Sequence, residues 1–397
     1  MGGLQSRKAV LALTVTAFFA TMVARLVISP LVPDIIADFG VSTGRIGLAL
    51  TGMWAAYALL QFPSGILGDR YGERRTIMAA LAFTVIGSAL LSWSPGFVAF
   101  ALAAVFLGAG AGLYFSAATT FISRLFENTG WALGVHSAGG PLAGLVAPLV
   151  ATAVATRFGW RSALLVGAFV ALPTLVTYAI LVRPDQFSVA QEREETTNSN
   201  GIDLSLGRLI AIIGRPSVAF TSMIAFLGYF AWQAVLSFFP AFLIAHHSLS
   251  PAMASLAFAG LFVLSATGLP VLGRLSDRFR RDLVLGLAFT VAASAMALLL
   301  VGRGLVVVGL ATVFLGGGMG WAGVLNSRFM DLFGDRERGT AFGLVRTVFL
   351  LLGSLGSVVT GTIVDTAGWM TAYGVVVGVL LVGVLAIVTN RALDLDL

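Results

Sequence analysis

Residues 65–75 read Gly-Ile-Leu-Gly-Asp-Arg-Tyr-Gly-Glu-Arg-Arg, and residues 273–281 read Gly-Arg-Leu-Ser-Asp-Arg-Phe-Arg-Arg. The two stretches share Gly, Leu, Asp and Arg in register at an offset of 208 residues. Further out, the run Leu-Gly-Ala-Gly-Ala-Gly from Leu107 returns as Leu-Gly-Gly-Gly-Met-Gly from Leu315, again at 208. Gly130 and Gly134 match Gly339 and Gly343, and Gly159-Trp160 match Gly368-Trp369, all at 209. Landmarks held at one separation, about half the chain, identify a duplicated unit.

Between these landmarks the chain is apolar. Of its 397 residues 58% are hydrophobic and 11% charged, and the mean hydropathy is +0.96. A soluble domain carries about a quarter charged residues, so this composition cannot cover a water-facing surface. The apolar runs predict membrane helices near 9–32, 44–67, 76–94, 98–123, 130–156, 160–182, 216–244, 251–273, 283–301, 304–330, 340–364 and 368–390. Each is long enough to cross about 30 Å of hydrocarbon. The expected fold is an all-α membrane protein of twelve transmembrane helices in two pseudo-symmetric six-helix bundles. Arg7 and Lys8 precede an apolar run that continues to Val32 without a small-residue cleavage pattern, which reads as a first membrane helix rather than a signal peptide.

Charge sets the expected topology. Threaded from a cytoplasmic N-terminus, the inner segments hold eighteen of the Lys and Arg residues and the outer loops four, Arg45, Arg157, Arg161 and Arg303. That asymmetry follows the positive-inside rule and predicts a multi-pass protein of the cytoplasmic membrane with both termini cytoplasmic. The domains expected are 1–183, an N-terminal bundle; 184–215, a linker; and 216–397, a C-terminal bundle. The polar stretch from Arg183 to Asp203 reads as a flexible connector, and 204–215 as an amphipathic segment lying on the membrane. There are no cysteines, and neither a metal-ligand cluster, a nucleophile–base pair nor a phosphate loop is evident. No cofactor, metal, nucleic-acid partner or enzymatic activity is expected, and the protein is expected to be a monomer in the lipid bilayer.

The stretch at Gly65 resembles the G-x-L-x-D-R-x-G-R-R loop between the second and third helices of the major facilitator superfamily. The half-length repeat, the Gly-Trp-Arg at 159–161 and the long central loop agree, so the resemblance covers essentially the whole chain. It implies two six-helix halves with parallel internal symmetry. It also implies a gating role for Gly65, Asp69, Arg70 and Gly72, with Asp69 accepting hydrogen bonds from the start of the eleventh helix near Gly339. Asp277 and Arg278 are the second-half counterparts, facing the fifth helix near Gly130. Glu73 stands where the family has a basic residue, and Arg280 replaces the second glycine of the second copy. Gly108, Gly110 and Gly112 resemble the family's fourth-helix motif, but its usual arginine is Ala104 here. Gly140-Pro141-Leu142-Ala143-Gly144 partly resembles a fifth-helix motif associated with antiporters, and equally suits close packing with a bend. A plain positive loop without gating is the alternative reading of the Gly65 stretch.

Ionisable residues inside the spans point to the cargo. Arg25 lies about 24 Å of helix beyond Ala9 with apolar sequence on both sides. A charge at that depth should face an internal cavity and find a partner there. Its counterpart at offset 208 is Gln233, beside Tyr229 and Trp232, and in the superfamily the first and seventh helices line the central cavity. Arg25 is therefore a candidate for gripping an anion bidentately. The alternative is a structural arginine that bonds to backbone carbonyls or snorkels outward past Pro30 and Pro33. Tyr57 and Gln61, one turn apart, and Tyr114 and Asn326 are candidates for hydrogen bonds to substrate. Arg346 and His136 lie at corresponding depths in the two halves and either reach the cavity floor or satisfy themselves at the cytoplasmic end. His136 is the candidate proton carrier. No Asp or Glu falls at the centre of a span.

Positive charge without buried negative charge favours an anionic substrate. The sequence thus predicts a secondary active transporter moving a small anion, foremost an organic carboxylate, by alternating access. Protons or a counter-anion would supply the coupling. Two alternatives stay open: an exporter of lipophilic compounds and a non-transporting membrane sensor.

Overall fold

The computed structural model describes residues 2–182, 211–334 and 338–395. Among these residues all regular structure is helical. The first half contains α1 (Gly2–Leu26), α2 (Ile28–Phe39), α3 (Thr43–Tyr71), α4 (Glu73–Ser92), α5 (Phe97–Leu125), α6 (Thr129–Ser137), α7 (Gly139–Leu164) and α8 (Val166–Leu181). The second contains α9 (Pro216–His247), α10 (Pro251–Arg278), α11 (Arg281–Val301), α12 (Leu305–Gly318), α13 (Trp321–Leu332), α14 (Arg338–Gly353) and α15 (Leu355–Ala392). The polar connector and most of the amphipathic segment lie outside the described residues.

Prolines explain several breaks within single crossings. Pro30 cannot donate to the carbonyl of Leu26, and the helix interrupts at Val27 between α1 and α2. Pro141 likewise frees the carbonyl of Ser137, and the chain turns at Ala138 between α6 and α7. Joined across such breaks, the helices give long apolar spans at 7–39, 129–164, 305–332 and 341–392. The last has 52 residues, about twice what one crossing needs, and is divided by Gly368 (φ 80°, ψ 173°). Gly159 (φ 81°, ψ 161°) divides α7 in the same way. The two glycines are the duplicated pair of the sequence repeat and share one left-handed backbone geometry, which a side chain would strain. Counted with these divisions, the described helices make the twelve crossings of the expected fold.

Two compact units form. Of the described residues, the first comprises those within 2–31 and 52–182, the second those within 32–51, 211–334 and 338–395. The hairpin of α2 and the start of α3 therefore groups with the second unit, although it belongs by sequence to the first repeat. Its contacts there are specific. Asp365 accepts hydrogen bonds from the backbone N–H of Thr43 at 2.8 Å and of Gly44 at 2.7 Å. These are donors that a helix start leaves without intrahelical partners. Thr51 Oγ1 donates to the carbonyl of Ser354 and accepts from the N–H of Val358.

Within each unit the glycine stripe of the repeat performs the same packing. A Cβ on Gly108 would lie 2.0 Å from the carbonyl oxygen of Met53, and one on Gly110 2.2 Å from Phe83. In the second unit, Gly316 abuts Leu264 and Leu261, and Gly318 meets Ala288 and Ala292. Small residues here let α5 and α12 approach two neighbours at once, the main source of association between helices in lipid. The first unit's core is closed by Ile77, Leu81, Tyr114, Phe121 and Tyr178. In the second unit, buried Trp321 packs edge-on to Phe289 and Tyr229.

Candidate functional site

Arg25 occupies the last turn of α1, just before the break at Val27. It is 2% exposed. Trp54 and Tyr57 come from one face of α3, at the i, i+3 spacing that brings side chains together. The guanidinium Cζ lies 4.4 Å from the Tyr57 ring centroid and 4.9 Å from that of Trp54, within the range of cation–π attraction. Nε donates to the carbonyl of Thr21 at 3.1 Å and Nη2 meets Met22 Sδ at 2.8 Å. Nη1 is buried without a hydrogen-bond partner, and Arg25 forms no ion pair among the described residues. A buried cation is thus held by two aromatic faces while one of its forked donors stays unused.

Gln61 lies one turn beyond Tyr57 and is buried, and its Nε2 also lacks a partner. Its backbone carbonyl accepts from Ser116 Oγ at 2.7 Å. Arg25, Tyr57 and Gln61 therefore present donors and aromatic surface from α1 and α3. Trp54 completes the set. It was not among the sequence candidates, although its position three residues before Tyr57 carried the signal.

Tyr114 is fully buried and donates its hydroxyl to the carbonyl of Thr14, stacking on Phe18 with centroids 6.0 Å apart. His136 shares this pocket. Its ring lies 5.0 Å from Phe18, 5.8 Å from Tyr114 and 6.3 Å from Phe115. It is fully buried, and neither ring nitrogen has a hydrogen-bond partner. Tyr114 and His136 form one cluster in the body of the bundle, and Arg25 with Trp54 and Tyr57 forms another.

In the second unit, Tyr229 stacks on Phe349 with centroids 5.0 Å apart, Trp232 packs edge-on to Phe262, and Gln233 is buried. Asn326 is exposed and Arg346 half-buried. These residues lie on α9, α13 and α14, and the ring contacts tie Tyr229 to the latter two helices through Trp321 and Phe349.

The stretch from Gly65 to Arg75 is organised by charge. Glu73, 4% exposed, forms an ion pair with Arg124 at the end of α5, and Arg124 Nη2 also reaches Asp69 Oδ1 at 3.2 Å. The departure at Glu73 is thereby explained: the arginine supplied by α5 neutralises it. Arg74 donates to the carbonyls of Val182 and Ala179 at 2.6 and 2.8 Å, tying the start of α4 to the end of α8. Arg70 lies over the Tyr71 ring. Gly72 carries the left-handed turn (φ 88°), whereas Gly65 has open space around it and an ordinary backbone. Gly65 therefore serves no close helix approach.

The second copy repeats the charge arrangement with different residues. Arg328 pairs with Asp282, its Nε donating to Thr221 Oγ1 at 2.9 Å, and Arg281 pairs with Asp331. Asp277 and Arg278 are exposed and, among the described residues, unpaired. In each unit an arginine near the end of the fourth crossing thus binds an acid at the start of the third.

The chain is 24% identical over 364 residues to the hexuronate transporter of Bacillus subtilis (strain 168), covering 85% of this chain and 83% of that protein. It is 25% identical over 346 residues to the nitrite extrusion protein of the same organism, covering 86% and 83%. Its fold matches the crystal structure of a bacterial homologue of the human lysosomal transporter Spinster with a TM-score of 0.77, at 18% identity and 97% coverage of both chains. The sequence profile of the Major Facilitator Superfamily matches residues 13–242 and 221–393. With twelve crossings, a duplicated glycine geometry and a profile that spans both repeats, the chain belongs to the Major Facilitator Superfamily.

Proposed function

We propose that this multi-pass membrane protein is a secondary active transporter of small anions, and that its cargo is an organic carboxylate bound at Arg25. The observation that carries the site is the buried guanidinium of Arg25, seated on Tyr57 and Trp54 with Nη1 unused. A buried charge without a counter-ion is costly, and an incoming anion supplies that counter-ion.

The chemistry of similar proteins supports the charge class. Hexuronate and nitrite, in the names of the two relatives, both present a planar edge of two oxygens sharing one negative charge. That edge matches the fork of a guanidinium. The unpartnered Nε2 of Gln61 is a second donor from the same face of α3, suited to a hydroxyl or a further oxygen of an organic acid. Alternating access moves the cargo, driven by protons or a counter-anion, with His136 as the candidate proton carrier. The distribution of arginines supports cytoplasmic termini in the cytoplasmic membrane.

A thermal-shift screen of the purified protein tests the reading. Hexuronates and small carboxylates, nitrite, nitrate and lipophilic cations are compared, each with the native protein and with Arg25→Ala. Ligand binding raises the apparent Tm by mass action. Stabilisation by carboxylates, lost in the variant, is expected. Stabilisation by lipophilic cations alone, unchanged in the variant, would overturn both the charge class and the site.

A further inference from the structure

A second polar site lies in the second unit and shares no residue with the proposed cargo site. A cleft of about 410 Å³ opens where the start of α11, the end of α13 and the end of α15 meet. Four arginines line it: Arg280, Arg281, Arg328 and Arg391.

Two of the four are neutralised, Arg281 by Asp331 and Arg328 by Asp282. Arg280 and Arg391 are exposed and make no ion pair among the described residues. Asp394 also lines the cleft, and it too is unpaired there, so the balance of lining charge is one positive. The free N-terminus of α11, which has no side-chain cap, adds partial positive charge.

Two apolar side chains line the cleft, Phe279 and Leu332, and Phe279, next to Arg280 in the chain, is 57% exposed. Arginines in a polar cleft, with a bulky exposed apolar side chain among them, match the boundary between headgroup and hydrocarbon. There, cations between membrane helices meet anionic lipids, and apolar side chains meet acyl chains rather than water.

We propose that this cleft binds a phosphate-bearing anion through Arg280 and Arg391, and that the source is the headgroup of an anionic phospholipid. The phosphodiester accepts hydrogen bonds from both guanidinium groups. An acyl chain covers Phe279. The paired residues, Arg281 with Asp331 and Arg328 with Asp282, tie the start of α11 to the end of α13.

The test uses the full-length protein purified in detergent, with the double variant Arg280→Gln/Arg391→Gln as control. Both side chains are exposed, so the bundle should fold normally; an unliganded Tm equal to the native one checks this. Thermal shift and native mass spectrometry then compare phosphatidylglycerol, phosphatidylcholine of the same acyl chains, and inorganic phosphate. The expected result is a Tm rise of several degrees and retained lipid adducts with phosphatidylglycerol only, both reduced at least threefold in the variant. Equal responses to the two lipids, or a phosphatidylglycerol response that survives the substitutions, would overturn the proposal. A shift with inorganic phosphate alone, lost in the variant, would keep the phosphate chemistry and overturn the lipid as its source.

Discussion

The guanidinium of Arg25 lies over the ring of Tyr57, Cζ to centroid 4.4 Å, and its Nη1 is buried without a hydrogen-bond partner. A cation–π contact is worth about 0.5–2 kcal/mol, more when desolvated. Arg25→Lys keeps the charge but loses the planar fork, so uptake of a carboxylate should fall at least tenfold. Tyr57→Phe keeps the aromatic face and should transport within about threefold of the native protein, while Tyr57→Leu should fall with Arg25→Lys. Initial rates in inverted or right-side-out vesicles check the order. Full activity of Arg25→Lys would show that the fork does not bind the cargo.

Glu73 is buried against Arg124. Removing one partner of a buried pair leaves an uncompensated charge and costs about 3–5 kcal/mol. Glu73→Gln should therefore lower the Tm in detergent clearly. Exchanging the charges in Glu73→Arg/Arg124→Glu should recover a good part of the loss. A double variant no more stable than the worse single variant would mean that the pair is not what holds α4 to α5.

His136 sits among Phe18, Tyr114 and Phe115 with both nitrogens unpartnered. The ring packs there against three aromatic rings. His136→Leu, close to the volume of the imidazole, should leave the Tm within a few degrees of native, because side chains of matched volume are tolerated best in a packed core. As the proton carrier, its loss should abolish uptake driven by a pH gradient while leaving exchange across equilibrated vesicles intact. Gradient-driven uptake that persists in the variant would remove His136 from the coupling path.

Gly108 and Gly65 separate packing from motif membership. A Cβ at Gly108 would sit 2.0 Å from the Met53 carbonyl, whereas one at Gly65 meets nothing within 4 Å. Gly108→Ala should destabilise by about 1–3 kcal/mol, the usual cost of overpacking, and Gly65→Ala should be near neutral in the Tm. Detergent melting curves of the two variants make the comparison.

Much of the fold was legible in the sequence. Lipid offers no hydrogen bonds to the backbone, so an apolar run of sufficient length can only become a helix. Twelve such runs, with landmarks repeated at an offset of 208 or 209 residues, specify two six-helix halves. Gly159 and Gly368 were readable as a matched pair, and their shared left-handed geometry follows from what only glycine adopts without strain. Arg25 was recognisable as a buried charge from its distance along α1 alone.

What the sequence left open depends on how each helix is rotated about its axis and which neighbours it meets. An apolar helix in lipid has no polar face to set its rotation, since hydrocarbon and protein interior are equally apolar to it. Tertiary packing therefore decided that Trp54 joins Tyr57 against Arg25, and that Glu73 is met by Arg124 rather than by a basic residue of its own loop. The same packing placed residues 32–51, sequence of the first repeat, in the second compact unit, where Asp365 holds the amide groups of Thr43 and Gly44. The periodicity of one strand of sequence records which side chains share a face; only the assembled helices determine what that face touches.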